Sequence, residues 1–147
     1  MFNRLIVAFD GSEPSRRALA VGLELGKRLQ MPVHTITVIE GIPEYVTAAA
    51  YEPIDPSVVQ LLVDQRDAAT TSLIDEVRRL GSEAGVEIVP EAVVADEVNG
   101  IVDAIRKHCC DLLIVGLRHH PGLIDRLTAH TTQSLTERAP CSVLGVR

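Results

Sequence analysis

"RLIVAFDGSEPSRRALAVGLELGKRLQMPVHTITVI", residues 4–39, changes its period twice. RLIVAF (4–9) is a short apolar run with no alternation, the pattern of a strand buried on both faces. From Ser12 the period becomes helical. Ser12 is the first candidate N-cap and Ser15 its rival, and Ala18, Gly22, Leu25 and Leu29 recur at helical spacing. VHTITVI (33–39) is β-branched and alternates, which predicts a second strand. Strand, helix and strand in this order predict two parallel strands joined by a right-handed crossover.

The rest of the chain repeats the unit. Residues 40–55 carry Pro43, Pro53, both tyrosines (Tyr45 and Tyr51) and an alanine-rich middle. That is long for an idle connection and reads as a lid, an interface arm or a mobile loop. Asp55 caps a helix with Pro56 in its first turn, and Val58, Leu62, Ala69, Leu73, Val77 and Leu80 fall along one face. VEIVPEAVV (86–94) is a third strand whose Pro90 suits a sheet edge. Asp96 caps a short helix striped by Val98, Ile101, Val102 and Ile105. DLLIVG (111–116) is a fourth strand, a helix follows over 125–138, and CSVLGVR (141–147) is a fifth strand. No internal repeat breaks this βαβαβαβαβ order, and the expectation is one α/β domain spanning 1–147.

Composition agrees and excludes some functions. Of the 147 residues 46% are hydrophobic but only 3% aromatic, so the core must be aliphatic. A formal net charge of −6 argues against a nucleic-acid binder working through a basic surface. No apolar run reaches membrane-spanning length, and the N-terminus lacks a signal-peptide pattern, so no membrane association is expected. Cys109, Cys110 and Cys141 are odd in number and lie in apolar contexts, which suits a reducing cytoplasm better than a disulfide framework.

Ligands of open parallel sheets bind beyond the carboxyl ends of the strands, where the strand order reverses. The places to look are Phe9-Asp10-Gly11-Ser12, Val38-Ile39-Glu40, and Val115-Gly116 with the residues after it. IVAFDGSEPSRRAL near the start, with DLLIVGLR and APCSVLGVR near the end, resembles the universal stress protein family, and the likeness covers the whole chain. The resemblance implies a Rossmann-like five-stranded parallel sheet in the order 3-2-1-4-5. It also implies a cytoplasmic protein, usually dimeric, tied to stress survival.

Family members that bind ATP carry G-x-x-G, nine residues, then G-[ST]. The glycines let backbone amides approach phosphates at a helix N-terminus. Here Gly116 matches the first position, His119 takes the second, and Ala129 and His130 take the last two. Gly122 and Ala139-Pro140-Cys141 hold the register, so Thr131 arrives one position late. A Cβ at His119 pushes a phosphate outward. Arg118, His119, His120 and His130 could replace lost amides as cationic contacts, or they could be solvated loop and helix-start residues; both readings stand. For the other half of the site, the resemblance implies that the Val38 backbone meets the adenine edge and that Ala8, Phe9 and Asp10 line the ribose side. Asp10 has a second reading, a turn in which its carboxylate holds local amides.

Other chemistry has weaker support. His108, Cys109, Cys110 and Asp111 are adjacent at a helix-to-strand joint, not in the spaced pairs that zinc takes, and no metal site is assigned. No G-x-S-x-G elbow, Walker loop or Ser-His-Asp order occurs. A phosphoacceptor receiver would need paired acids after strand one, and FDGS is a poor match. Three functions therefore stay open: a stress module binding ATP, AMP or cyclic AMP weakly, a ligand-free dimeric interaction protein, and a slow ATP hydrolase or phosphotransferase without an evident base. The leading expectation is a non-enzymatic module. The last strand would sit at the sheet edge in the family order, and an apolar edge needs a cover. A homodimer through Ser142–Val146 is expected.

Overall fold

The computed structural model describes residues 1–41, 55–117 and 125–147, the side chains of 125–130 excepted. Among the described residues nine elements alternate: β1 (Leu5–Ala8), α1 (Glu13–Leu29), β2 (Val33–Ile39), α2 (Pro56–Ala84), β3 (Ile88–Val94), α3 (Glu97–His108), β4 (Leu112–Gly116), α4 (Asp125–Arg138) and β5 (Ser142–Val146). The strands form one parallel sheet in the order β3-β2-β1-β4-β5, as expected. Pro90 lies in the edge strand β3, opposite Thr35, where a missing N–H is tolerated.

Strand alternation sends side chains to two separate cores. Leu5, Val7, Leu112 and Ile114 face α1 and α2, with Leu19, Leu23 and Val77 packed on them. Ile6, Ile36, Leu113 and Val115 face the other way, onto Ile101, Val102 and Ile105 of α3 and Leu135 of α4. Cys110 and Cys141 belong to this second core, where burial pushes the Cys110 thiol up to about 11. Both act as small apolar side chains there.

Two expected faces need correction. α1 buries Ser15, Ala18, Leu19, Gly22, Leu23 and Gly26, whereas Leu29 is exposed. The buried stripe is tilted one position from the expected one, because Gly22 lets the helix sit against the Val7 side chain. On α2 only the C-terminal half packs as expected. Val77 is buried and Leu73 and Leu80 pack partly on the core, but Val58 is 46% and Leu62 40% exposed, and Ala69 is exposed too. The cause is length. A helix of 29 residues runs about 43 Å, and the seven-residue strand beside it only about 23 Å. The first turns of α2 therefore reach past the sheet. Asp55 caps that end as expected, its Oδ1 accepting from the Ser57 amide at 2.9 Å. The expected flap lies, from Ile42 to Ile54, outside the described residues. Among those residues no helix is long and apolar enough to cross a membrane.

At the opposite end of the sheet α3 is tied down by charge. Glu91 of β3 accepts from Lys107 Nζ at 2.6 Å and pairs with His108 Nε2 at 2.5 Å. Burial would raise the Glu91 carboxyl, but these two hydrogen bonds outweigh it and hold it below its ordinary range. The His34 ring lies 4.7 Å from that of His108, and its Nδ1 is buried without a partner. Burial lowers the His34 pKa first, and the nearby charges of His108 and Arg4 lower it further, against the weaker pull of Glu91 and Glu87. A histidine whose folded pKa lies below its unfolded 6.5 stabilises fully above 6.5 and loses that contribution as pH falls toward the folded value. The wild-type urea midpoint should therefore drop between pH 7.5 and pH 5.5, and His34→Asn should drop less. Equal drops in the two proteins would remove His34 as the cause.

Candidate functional site

The C-terminal ends of β1, β2 and β4 open into a cavity of about 560 Å³, the size of a small-ligand site. Its floor follows from strand order. β1 is flanked by β2 and β4, whose crossovers pack on opposite faces, so a crevice opens at the sheet end between them. Ala8, Phe9, Asp10, Val38, Val115, Gly116 and Thr131 all line it. Seven of the residues singled out from the sequence are thus brought together. Arg118, His119 and Gly122 lie outside the described residues, as do His120 and the side chain of His130.

Each wall has a local cause. After β1 the chain turns through Gly11, whose φ of +77° suits glycine. Asp10 Oδ1 accepts from the Ser12 amide at 2.9 Å, and Ser12 Oγ accepts from the Ser15 amide at 3.4 Å as the N-cap of α1. Ser15, the rival cap, is instead buried in the first turn; its hydroxyl donates to the Ser12 carbonyl at 2.9 Å. Asp10 therefore holds the turn, as its second reading expects, and also lines the cavity. Phe9 presents main chain, because its side chain is packed in the core between the sheet and α1. Val38 and Val115 supply apolar walls with Ile36 and Ile101.

Sequence reasoning missed the polar rim. Glu97, Thr132, Gln133, Thr136 and Arg147 also line the cavity. Thr131 Oγ1 donates to Glu97 Oε2 at 3.3 Å, and Arg138 Nη2 donates to Asn99 Oδ1 at 2.6 Å, so α4 is tied to α3 at two points. Among the described lining residues the charged ones are Asp10, Glu97 and Arg147. Glu97 had a signal, an acid directly after the Asp96 cap. That pattern also serves the helix dipole, so it did not stand out.

The HCCD run does not converge. His108 turns to Glu91, Cys109 is exposed, Cys110 is buried, and Asp111 accepts from the Asn3 and Arg4 amides at 2.8 and 3.0 Å. No group of His, Cys, Asp and Glu among the described residues is arranged to hold a metal ion.

Comparison with known proteins adds the lineage. The model of the universal stress protein family matches residues 1–147. Universal stress protein MJ0531 of Methanocaldococcus jannaschii is 25% identical over 147 residues, covering 100% of this chain and 83% of the relative. A solved universal stress protein in complex with cAMP superposes with a TM-score of 0.74 at 19% identity, over 99% of this chain and 97% of that one. A universal stress protein family protein from Arabidopsis thaliana with AMP bound gives 0.69 at 17% identity, over 98% and 90%. At these identities the structures speak for the fold alone, and the whole-length match carries the lineage: the chain belongs to the universal stress protein family.

Proposed function

We propose that this protein is a cytoplasmic stress-response module that binds an adenine nucleotide or nucleoside weakly in the crevice above β1 and β4, without turning it over, and acts as a homodimer. The observation that carries the reading is the meeting of Ala8, Phe9, Asp10, Val38, Val115, Gly116 and Thr131 around one cavity of ligand size. Relatives of the same fold hold cAMP and AMP, which supports the adenine class. The sequence around the phosphate end supports weak or altered binding, since Ala129 and His130 stand where ATP-binding members carry Gly and Ser or Thr. If Arg118, His119 and His130 contact an anion, they do so as cations in place of glycine amides.

Mass spectrometry of freshly purified, denatured protein tests this, together with titration of ATP, AMP, cyclic AMP and adenosine. A co-purifying adenine compound, or a dissociation constant in the micromolar to millimolar range for one of the four, is the expected result. An empty protein that binds none of them would leave the ligand-free dimer as the better reading.

A further inference from the structure

The described wall of the cavity is rich in acids, with Asp10 and Glu97 both lining it. Two described helix N-termini border it through Ser12, Ser15 and Glu97, and a free helix N-terminus is a ready anion site. At both, the chain's own acceptors already engage some of the amides. At α1 the Ser12 amide goes to the Asp10 carboxylate and the Ser15 amide to the Ser12 hydroxyl, with Glu13 in the first turn. At α3 the Asn99 amide goes to Asp96 Oδ1 at 3.0 Å, and Glu97 opens the first turn. Glu97 lines the cavity itself, is exposed, and has only Oε2 engaged, by Thr131; Oε1 has no hydrogen-bond partner among the described residues. Against these acids the described lining sets one cation, Arg147.

Resting on the adenine reading above, we infer that Glu97 makes this crevice select the unphosphorylated adenine nucleoside over its phosphates. An ionised carboxylate accepts hydrogen bonds and cannot donate one, so it suits a ribose hydroxyl and repels a phosphoryl oxygen. Each added phosphate brings more negative charge to the same wall. The order of affinity is adenosine first, then AMP, then ATP. The repulsive part is Coulombic and screened by salt, so the preference narrows as ionic strength rises.

Isothermal titration of the full chain with adenosine, AMP and ATP at 50 and 500 mM salt tests this, using wild type, Glu97→Gln and Glu24→Gln. Glu24 lies on α1 and does not line the cavity, so its variant carries the same change in net charge at a remote place. Wild type should bind adenosine more tightly than ATP, and Glu97→Gln should shrink that preference about tenfold while Glu24→Gln leaves it unchanged. Circular dichroism checks that the variants are folded. If Glu97→Gln is unfolded, Glu97→Ala and the salt dependence of the wild type carry the same test. Tighter binding of ATP than adenosine by wild type, or an equal preference in wild type and Glu97→Gln, overturns the inference and leaves the adenine reading standing. Absence of binding by all three ligands in every variant removes the inference, and absence of cyclic AMP binding as well removes the adenine reading.

Discussion

Gly116→Ala should lower the stability of the protein by about 3 kcal/mol or more, the upper end of what overpacking costs. An ideal Cβ on Gly116 would lie 2.2 Å from the carbonyl carbon and oxygen of Pro14 and 2.6 Å from the Ser15 amide nitrogen. These are backbone atoms in the first turn of α1, so no rotamer change relieves the clash. β4 and α1 would have to separate by about an ångström, and interiors packed to crystal-like density resist that. The end of β4 is also fixed from the other side, since the Leu117 amide donates to the Val146 carbonyl at 2.6 Å. The thermal midpoint should fall by about 10 °C. Gly41→Ala is the control: its Cβ would meet only Val94 Cγ1, at 3.7 Å, an ordinary contact. A Gly116→Ala midpoint within 2 °C of wild type would show that the strand end yields easily, contrary to this account.

That packing changes how the phosphate-loop pattern is understood. Read from the sequence, Gly116 was the surviving member of a motif whose other glycines had gone, and so a remnant of phosphate binding. The structure supplies a reason independent of any ligand: only glycine allows β4 to end against Pro14. Its retention therefore says nothing about whether phosphate is bound. The reason was hidden because Pro14 and Gly116 are 102 positions apart and meet only through the crossover.

What was legible shares a physical basis. Buried parallel strands are runs of Ile, Leu and Val, helices beside them have apolar stripes, and β1, α1 and β2 all follow these local rules. Pro90 announced an edge because a missing N–H matters only inside a sheet. What was not legible depended on distances between elements. The apolar residues Val58 and Leu62 obey the helical stripe but lie beyond the end of the sheet. Glu97 and Arg147 join the cavity from the ends of β3 and β5, the strands farthest from the reversal, through the helix and tail that lean over it.

The second large effect concerns the proposed homodimer, where one proline should give monomers. β5 is an outer strand of the sheet, and Leu144 on it is 38% exposed. Its inner side is fixed by hydrogen bonds. The Ser142 amide donates to the Asp111 carbonyl at 3.2 Å, and the Val146 carbonyl accepts from the Leu117 amide. Along a strand, the N–H and C=O of a residue leave on one side and those of the next residue on the other. Ser142, Leu144 and Val146 thus bond inward to β4, while the N–H groups of Val143 and Gly145 face the open edge. A copy related by a two-fold axis would pair antiparallel with those outward groups and close the edge. Val143→Pro removes an outward donor and leaves the inner ladder whole, whereas Val146→Pro strikes the ladder itself. Because the axis repeats the change, each dimer loses two hydrogen bonds and leaves two carbonyls unpaired. At roughly 1–3 kcal/mol for each buried group left without its partner, the dimer should weaken by a hundredfold or more. Light scattering at micromolar concentration should give dimer for wild type and monomer for Val143→Pro with its circular dichroism kept, and unfolded or insoluble protein for Val146→Pro. A wild-type monomer, or a dimer that survives Val143→Pro unchanged, would place the contact elsewhere or nowhere.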